Sequence, residues 1–487
     1  MNQKKIRVRF PPSPTGNLHI GNARTALFNY LYARHYGGDF IFRIEDTDAL
    51  RSMDCFVQNE IDALRWLGIE WDEGIEKGGS FGPYRQSQRI DFYMEFVQRL
   101  LLNQNAYYCF CSPEELEQER KLLDDENAYA YKYAGKCRYL TQKEIENNKA
   151  RNIPYTIRFK LPDIEKVEVN DLVRGPVQFP VDSLDDFILV RSNGMPTYNL
   201  AVMVDDATMN ITHVIRGEDH FFGNTPRQIL LYSALSLPLP SFGHMPMILG
   251  TDRSKLSKRH GAFAVTDYKS MGFLPEALNN YMALLGWSPG NDLELMNMDE
   301  LIQYFDLEKV QSSPAIFDFN KLKWFNGQYL RKKDSQELVD MIENLDEEYL
   351  NIPYRNQKND YLKMVDGLKH YAILLRDIPN LIKDIESYSG LQRDKISEMD
   401  TLNALNLLKE LIEQFKICDE WSPEAIKNII RSVGKKMNIK GKMLFHPIRL
   451  FVTNTTEGPD LNIIIFIKGK EKVLKLLEQA FDLLTKE

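Results

Sequence analysis

The chain has 487 residues and a mass of 56.7 kDa, which predicts roughly three domains at ~150 residues each. Its composition of 43% hydrophobic, 11% aromatic and 27% charged residues excludes collagenous and disordered classes. The net charge of −8 excludes little, because only the local distribution of charge decides whether a phosphate backbone can bind. The first residues are polar and no uncharged apolar run reaches the ~18–20 residues of a membrane span, so we expect a soluble, cytoplasmic protein.

The N-terminal part alternates between strand and helix signals. Residues 5–10 alternate apolar and basic like a strand, a Pro/Gly turn follows, and helical spacing then continues through Leu31 to a stop at Gly37 and Gly38. A second strand over 39–44 leads into short polar residues that can cap a helix beginning near Ala49. This order predicts a parallel α/β sheet, whose sites lie at the carboxyl ends of its strands.

Further along, the pattern changes twice. Between Cys109 and Asp186 a charged helical segment precedes short β-rich pieces such as 155–159 and 177–179, which indicates an α+β insertion. The α/β pattern returns at 210–216, followed by a helix whose start is marked by Asn224, Thr225 and Pro226. After about residue 330 strand signals nearly vanish. Apolar residues then recur at the helical positions Leu402, Leu405, Leu408, Leu411, Ile412 and Phe415, which predict a mostly α-helical C-terminal third.

The turn between the first strand and the first helix is a candidate phosphate site. Backbone N–H groups and the positive end of a helix can hold phosphate there, and Gly16 and Gly21 permit close approach. A Pro/Gly-rich turn is also an ordinary structural element, and His19 could merely cap the helix. The turn alone therefore leaves both interpretations open.

A second cationic segment supports the phosphate interpretation. Residues 251–261 carry four basic side chains interleaved with serines and bounded by Gly250 and Gly261, a composition suited to a mobile loop that closes over a polyphosphate. A solvated run of charge is the simpler alternative. A helix-start anion site and a separate cationic loop are together what nucleotide activation requires.

Two motifs, one in the turn before the first helix and one in the cationic segment, resemble known signature sequences. His19-Ile20-Gly21-Asn22 and Lys255-Leu256-Ser257-Lys258-Arg259 resemble the two signature sequences of class I aminoacyl-tRNA synthetases, with Asn22 where the signature usually has His. Residues 9–21, 42–48, 196–199, 214–220 and 283–287 further resemble the glutamyl-tRNA synthetase family, in the right order. The resemblance implies a Rossmann-like, doubly wound catalytic domain that forms glutamyl-adenylate and pyrophosphate from ATP and L-glutamate. The glutamyl group would then pass to a hydroxyl of the terminal adenosine of tRNA(Glu), with no covalent enzyme intermediate.

With this resemblance the changes of pattern predict five segments. Residues 1–108 and 188–240 would form the two halves of the catalytic domain, and 109–187 an acceptor-stem-binding insertion. Residues 241–330 would hold the second signature and a stem-contact domain. Residues 331–487 would form an all-helical anticodon-binding region.

The resemblance also implies site residues. ATP, with Mg²⁺, would be bound by Gly16, His19, Gly21, Asn22, Lys255, Ser257 and Lys258, of which His19, Lys255 and Lys258 would be catalytic. Glutamate presents an ammonium and two carboxylates, so its pocket needs one acid and at least one guanidinium. By resemblance Arg9 and Arg216 bind the side-chain carboxylate, Glu45 binds the ammonium, and Ser13 and Tyr198 complete the pocket. Helix capping is the alternative role for Glu45, and a solvated strand face is the alternative for Arg9.

The cysteines suggest a local site. Five cysteines are too few for a disulfide framework in so long a chain, which favours a reducing compartment. Cys109, Cys111 and Cys137 supply three soft ligands, and Tyr133 or Tyr139 could be a fourth. Some relatives carry zinc here with His at the place of Tyr139. The alternatives are therefore a structural Zn²⁺ site, for which we favour Tyr133, and three buried thiols.

The C-terminal region contains a candidate tRNA-binding surface. Residues 427–442 include no acidic residue and carry six basic side chains, namely Lys427, Arg431, Lys435, Lys436, Lys440 and Lys442. A solvated helix face is the alternative. The region loosely resembles the all-helical anticodon-binding portion of bacterial-type glutamyl enzymes, which favours contact with RNA.

Three other functions compete with a glutamate–tRNA ligase. A glutaminyl-tRNA synthetase should be rich in β-barrel in its C-terminal half, whereas this chain has helical patterns there. A shorter relative that glutamylates a modified tRNA base lacks the anticodon-binding portion. A non-catalytic RNA-binding paralogue would lose phosphate-handling residues that are present here. The family resemblance favours a monomer; whether tRNA(Gln) is also charged, and whether tRNA must bind before activation, is left open.

Overall fold

The chain folds into two compact units. The computed structural model describes residues 5–47, 54–121, 132–261, 263–345, 358–388 and 401–485, apart from the side chains of residues 120, 258 and 401. One unit, here called the sheet unit, comprises Met1–Asp267 and Leu278–Phe319; the other, the helical unit, comprises Tyr268–Ala277 and Asn320–Glu487. The expected helix start near Ala49 and its capping residues at 48 and beyond lie outside the described residues.

All strands belong to the sheet unit, within the described part of the chain. They are β1 Arg7–Phe10, β2 Asp39–Phe42, β3 Glu73–Gly74, β4 Ala106–Cys109, β5 Thr156–Phe159, β6 Lys166–Asp171, β7 Gly175–Pro180, β8 Ile188–Val190, β9 His213–Gly217, β10 Ser241–Met245, β11 Ile248–Leu249 and β12 Ala315–Ile316. The expected strands at 5–10, 39–44, 155–159 and 177–179 are thus present, and the one expected at 210–216 begins three residues later.

The helices of the first two-thirds of the chain are α1 Ile20–His35, α2 Asp54–Trp66, α3 Ile90–Leu102, α4 Pro113–Lys121, α5 Gln142–Ala150, α6 Tyr198–Thr208, α7 Asp219–Gly223, α8 Thr225–Ala234, α9 Val265–Met271, α10 Pro275–Ala283, α11 Met298–Tyr304 and α12 Phe319–Lys332. The remaining helices are α13 Ser335–Glu343, α14 Lys358–Leu368, α15 Asp377–Ser387, α16 Thr401–Lys416, α17 Pro423–Lys436, α18 Lys442–Thr453, α19 Leu461–Lys468 and α20 Lys470–Thr485.

Parallel strands form the centre of the sheet unit. One sheet has the order β1-β2-β3, all parallel, and another has the order β7-β6-β10-β9, in which only β7 is antiparallel to its neighbour. The two sheets meet where the amide of Thr212 donates to the carbonyl of Arg7, at 2.9 Å. The strand order β3-β2-β1-β9-β10 therefore reverses between β1 and β9, which is the topological switch point of a doubly wound sheet. The α/β prediction is confirmed.

Helix α1 links β1 to β2 and is buried around most of its circumference, which explains why its sequence is apolar on several faces. The polar side chains that this burial traps find backbone partners. Asn29 Nδ2 donates to the carbonyl of Ile215 at 3.0 Å, and Arg24 Nη1 donates to the carbonyl of Leu285 at 2.9 Å. The helix ends at His35 with Tyr36 as its C-cap, and Gly37 adopts a left-handed φ of 62° where the chain turns towards β2. These contacts fix the start of α1 relative to β9.

The segment between the two halves of the sheet unit forms two β structures. Strands β4, β5 and β8 make an antiparallel sheet that shares a hydrophobic core with α3, α6 and α8. Strands β6 and β7 form a hairpin, and β6 pairs in parallel with β10, with Asp171 opposite Phe242. The sequence predicted the strands of this segment but not that its hairpin extends the catalytic sheet.

The helical unit confirms the α-helical prediction for the C-terminal third. Its described residues from 335 onward form helices and connecting turns, packed around a core that includes Leu408, Leu411 and Phe415 of α16. Leu402, from the same predicted stripe, is 71% exposed, so the buried face of α16 is shorter than its apolar spacing suggested. No helix in the described ranges is long and apolar enough to cross a membrane.

Candidate active site

A cavity of about 710 Å³ opens at the carboxyl ends of β1 and β9, beside the switch point. The residues expected to bind glutamate all line it: Arg9, Ser13, Glu45, Tyr198 and Arg216. Of the residues expected to bind ATP, the lining includes His19, Gly21, Asn22, Lys255 and Ser257. Gly16 lies in the adjoining turn and is not part of the lining, and the side chain of Lys258 lies outside the described residues.

Two arginines face this cavity with unused hydrogen-bonding capacity. Arg9 is 1% exposed, so it does not lie on a solvated strand face. The Nη1 atoms of Arg9 and Arg216 are buried and have no hydrogen-bond partner among the described residues. Burial lowers the pKa of Arg216, and the neighbouring charge of Arg9 lowers it further. Two guanidinium groups held close together with free donors form a site for an anion.

Acidic residues of α6 hold Arg9 and two neighbouring buried arginines in place. Arg9 Nε donates to both carboxylate oxygens of Asp206, at 3.2 and 3.3 Å, and Arg43 Nη1 donates to Asp206 Oδ1 at 2.8 Å. The adjacent Asp205 accepts from Arg89 Nε at 2.7 Å. These aspartates were not among the residues predicted from the sequence. Two adjacent aspartates in the apolar run of α6 were the available signal, because buried carboxylates need cationic partners.

Glu45 is buried at the cavity wall, and the helix start that it was alternatively expected to cap lies outside the described residues. Its Oε1 accepts from Arg43 Nη2 at 3.2 Å. Burial raises the pKa of Glu45 to about 7, although Arg43 and Arg9 oppose the increase. The carboxylate therefore lies beside the arginine pair, where it can receive a cation.

Arg216 is positioned by residues of α8 and β10. Its Nη2 donates to Thr225 Oγ1 at 2.8 Å and to Gln228 Oε1 at 2.9 Å, and its Nε donates to His244 Nε2 at 3.2 Å. These bonds occupy one edge of the guanidinium. The Nη1 atom, at the other end of the guanidinium, is left without a hydrogen-bond partner among the described residues.

Tyr198 begins α6 and stacks on His220, with 5.4 Å between ring centroids. Its hydroxyl lies 3.3 Å from His220 Nδ1, and burial raises the pKa of Tyr198 to about 12. Burial and the charge of Arg216 lower the pKa of His220 to about 4, so this imidazole is neutral at pH 7. The pair forms an uncharged wall of the cavity.

His19 occupies the N-cap position of α1, but its side chain makes no capping hydrogen bond. The imidazole is exposed and lines the cavity, which excludes capping by this side chain as the explanation for the residue. No acidic residue lies in the first turn of α1, so the helix end keeps its positive potential. Gly21 has room for an added Cβ, with no atom within 4 Å. The space beside the helix start is open to a ligand.

The second signature lies on a loop that returns to this helix start. His19 forms an antiparallel bridge with Ala264, and the amide of Val265 donates to the carbonyl of Leu18 at 2.9 Å. Within the loop, Asp252 accepts from Arg259 Nη2 at 3.2 Å. One of the four expected basic side chains is thus held internally, while Lys255 is exposed and lines the cavity.

Comparison with known proteins agrees with this geometry. A family model described as tRNA synthetases class I (E and Q), catalytic domain, matches residues 5–324, and one described as an anticodon binding domain matches residues 336–481. A glutamate–tRNA ligase of Carboxydothermus hydrogenoformans is 43% identical over 98% of this chain and 100% of its own length. Glutamate–tRNA ligase 1 of Caldicellulosiruptor saccharolyticus is 45% identical over 97% of this chain and 98% of its own length. This chain belongs to the glutamate–tRNA ligase family.

A solved structure agrees with the family assignment. The crystal structure of a glutamate tRNA ligase from Elizabethkingia meningosepticum, in complex with its amino acid, matches with a TM-score of 0.87 and 34% identity. The match covers 98% of this chain and 99% of that one. This member of the glutamate–tRNA ligase family therefore has the same fold as that solved structure over almost its whole length.

A second candidate site in this ligase-family chain is the cysteine cluster. The sulfur atoms of Cys109, Cys111 and Cys137 lie within 4.8 Å of one another. The Tyr133 hydroxyl is 3.3 Å from Cys109 Sγ and 3.6 Å from Cys111 Sγ. Tyr139, the other possible ligand, is 81% exposed. Three sulfurs and one phenolic oxygen thus converge, which fits the four-coordinate donor set of a structural metal.

The basic segment of the helical unit occupies α17 and the turn before α18. Lys427, Arg431 and Lys435 follow one another at four-residue spacing on α17 and so form one stripe. Lys436 is paired with Glu410 at 2.5 Å, whereas Lys440 and Lys442 are exposed on either side of Gly441. The segment lies within the residues matched by the anticodon binding domain model.

Proposed function

We propose that this chain is a cytoplasmic, monomeric glutamate–tRNA ligase that activates L-glutamate with ATP and transfers it to tRNA(Glu). The observation that carries the proposal is the cavity at the switch point, which combines two unpartnered guanidinium donors with a buried carboxylate. Glutamate has the complementary groups, two carboxylates and one ammonium. Its side-chain carboxylate binds Arg9 and Arg216, and its ammonium binds Glu45, while Ser13 and Tyr198 complete the pocket.

Charge at the arginine pair distinguishes glutamate from glutamine. A carboxylate satisfies two guanidinium groups with charge-assisted hydrogen bonds, whereas an amide would place its NH₂ group against donors. Glutamine in this cavity would therefore leave at least one buried donor unpaired. The same chemistry disfavours the glutaminyl alternative.

ATP binds at the start of α1 and under the loop of the second signature. In the first step an α-carboxylate oxygen of glutamate attacks the α-phosphorus of ATP, and the bond to the pyrophosphate oxygen breaks. His19 and Lys255, both on the cavity lining, donate to phosphate oxygens as charge builds on the leaving group. We assign the same role to Lys258, and we assign nucleotide contacts to Gly16, Gly21, Asn22 and Ser257. In the second step a hydroxyl of the terminal adenosine attacks the activated carbonyl and AMP leaves.

The cavity fits a magnesium ion that arrives with ATP. Mg²⁺ in nucleotide sites is held largely by phosphate oxygens and water, with one or two carboxylates. Asp219 lines the cavity and its side chain is 74% exposed, so it can supply such a ligand. When bound, the ion neutralises charge on the pyrophosphate.

ATP–pyrophosphate exchange tests the activity. Purified protein is assayed with glutamate and with glutamine, each with and without bacterial tRNA. We expect exchange with glutamate. Exchange with glutamine alone would overturn the assignment of Arg9 and Arg216 to a carboxylate, and no exchange from folded protein under any condition would favour a non-catalytic RNA-binding paralogue.

We also propose that Cys109, Cys111, Cys137 and Tyr133 hold a structural Zn²⁺. Hydrogen bonding, first of all with Cys137, lowers the pKa of the Cys109 thiol, so one ligand is already anionic. The ion would join the end of β4 to the segment around residues 133–137, which the hydrogen bond from the Phe110 amide to Cys137 Sγ, at 3.4 Å, already connects. Its role would be structural, since the cluster is separate from the residues that line the cavity.

Metal analysis of the purified protein tests this site. We expect one zinc per chain in the wild type, much less in Cys137→Ser, and full occupancy in the control Cys55→Ser, because Cys55 is exposed and not part of the cluster. Wild-type protein that is prepared with zinc and holds none would show that the cluster is only a set of packed cysteines.

A further inference from the structure

The turn of the β6–β7 hairpin contacts the site through buried polar groups. Asp171, the last residue of β6, accepts at Oδ1 from the amides of Val173 and Arg174, both at 3.0 Å, and from the amide of His244 at 3.3 Å. Its other oxygen, Oδ2, lies 2.6 Å from His244 Nδ1. The side chains of Asp171 and His244 have no exposed surface. The hairpin turn is thereby fixed to β10.

His244 connects this aspartate to Arg216. Its Nε2 accepts from Arg216 Nε at 3.2 Å and lies 2.8 Å from Thr225 Oγ1. Thr225 in turn accepts from Arg216 Nη2 at 2.8 Å. A continuous buried chain therefore runs from Asp171 through His244 to the edge of the guanidinium opposite its free Nη1.

The hydrogen bonds determine the tautomer of His244. Three backbone amides occupy Oδ1 of Asp171, and His244 lowers the pKa of this aspartate, which is therefore ionised and can only accept. Nδ1 of His244 must then carry the proton. Burial lowers the pKa of His244, so the ring is neutral and Nε2 has a lone pair for the N–H of Arg216.

We infer that Asp171 and His244 are positioning residues for Arg216. By fixing the imidazole with its proton on Nδ1, they orient the guanidinium so that Nη1 faces the side-chain carboxylate of glutamate. The inference rests on the proposed function, in which Arg216 binds that carboxylate. It assigns to the hairpin a role in amino-acid binding that does not require contact with the substrate. Another polar contact of this turn, between Arg174 and Glu218, fixes the residue two positions after Arg216.

Asp171→Asn tests the inference with an isosteric change. The three backbone donors keep the amide oxygen at the position of Oδ1, so the NH₂ group faces His244 Nδ1 and donates to it. The imidazole proton must then move to Nε2, where it opposes the N–H of Arg216. We expect the KM for glutamate in tRNA-supplemented exchange to rise about ten- to a hundredfold, the range for a hydrogen bond to a charged group. The KM for ATP should change less than about twofold.

Two further variants control the result. His244→Asn keeps a donor towards Asp171 but places nothing near Arg216 Nε, so it should also raise the KM for glutamate. Asp186→Asn changes another buried aspartate of the same segment, whose hydrogen bonds come from the Tyr107 hydroxyl, the Leu161 amide and Arg138 Nη1 and so belong to a different network. It should leave both KM values unchanged.

Nitrogen NMR of histidine-labelled protein gives a readout independent of activity. The His244 resonances, assigned by their loss in His244→Asn, should show a protonated Nδ1 in the wild type and a protonated Nε2 in Asp171→Asn. An unchanged tautomer, or a changed tautomer with an unchanged KM for glutamate, would overturn the inference. So would equal increases of the KM for glutamate and for ATP accompanied by a lowered melting temperature, which would indicate a structural role. Failure of the proposed function would instead appear in the wild type, as absent exchange with glutamate.

Discussion

At the scale of single residues, the site is built from charges that the fold has removed from water. Arg9, Arg43 and Asp206 are buried together, and their hydrogen bonds offset a desolvation cost of several kcal/mol per ion. In the cavity wall the buried Nη1 atoms of Arg9 and Arg216 have no hydrogen-bond partner among the described residues. An anionic ligand would supply acceptors for these unpaired guanidinium donors.

Our proposal that Glu45 binds the substrate ammonium predicts that glutamate binding depends on pH. Because burial raises its pKa to about 7, the empty site holds a mostly protonated Glu45 at pH 6 and a mostly ionised one at pH 8. The substrate ammonium requires the ionised form. We expect the KM for glutamate in pyrophosphate exchange to fall as pH rises from 6 to 8, by up to about tenfold per pH unit below the pKa.

The control is Glu45→Gln, which cannot ionise. Its KM for glutamate should be higher than that of the wild type and independent of pH over the same range. A wild-type KM that does not change with pH, or a Glu45→Gln profile that follows the wild type, would contradict the assignment of Glu45 to the ammonium.

At the scale of elements, the proposed phosphate site depends on the start of α1. Burial of α1 and its bonds to the strands fix the direction of the helix, and the bridge between His19 and Ala264 places the signature loop beside it. The first-turn amides and the positive helix end then face the cavity. Gly21 has neither a left-handed φ nor a packing neighbour to explain it within the protein.

Gly21→Ala should therefore affect ATP binding rather than folding. Alanine has a higher helix propensity, so the free energy of unfolding should stay equal or rise by up to about 1 kcal/mol. The added methyl lies in the cavity, and the KM for ATP should increase by tenfold or more. Gly327→Ala, in α12 and with contacts no closer than 3.7 Å, is the matched helical control and should leave the KM for ATP unchanged. If the two variants had equal KM values for ATP, Gly21 would not be needed for the close approach of ATP to the helix start.

The basic stripe of α17 carries a second prediction at this scale. Replacing Arg431 and Lys435 with alanine should weaken tRNA binding, and the slope of log K against log salt should become shallower by about 0.7–0.9 for each phosphate that the variant no longer neutralises. Filter binding at several salt concentrations measures both. Lys416→Ala is the control, since Lys416 lies outside the stripe and pairs with Glu478 at 2.9 Å. A salt slope equal to that of the wild type would indicate a solvated helix face.

At the scale of the whole molecule, the chain has two units with separate cores. Leu408 belongs to the core of the helical unit, whereas Leu200 belongs to a core of the sheet unit. Chains with several cores commonly unfold in more than one transition. We therefore expect the sheet unit and the helical unit to unfold in separate transitions.

Matched core truncations should distinguish the units. Leu408→Ala and Leu200→Ala each remove a fully buried side chain, at a cost of about 2–5 kcal/mol. In differential scanning calorimetry we expect each variant to lower the transition of its own unit and to leave the other transition in place. A single transition that both variants shift equally would show that the units unfold together.

The sequence by itself determined where several strands and helices lie and which types of charged residue the site contains. Turn residues and apolar spacing located β1, α1 and the helices after residue 330, because these signals depend on local conformation and periodic burial. Family resemblance then selected Arg9, Glu45 and Arg216. Without it, the charged residues of β1 would have been assigned to a solvated face.

Only the tertiary structure decided which of these residues meet and what holds them. The contact between the two sheets at the switch point brings Arg9 and Arg216, more than two hundred positions apart in the chain, to one cavity. Asp206 and His244 have no motif of their own, since their importance comes from partners on other elements. The sequence offered both Tyr133, which we favoured, and Tyr139 as a fourth residue of the cysteine cluster, and the fold buries the first and exposes the second. Spacing along a chain fixes local geometry, but contacts between distant residues, and the pKa values they produce, depend on the packed fold.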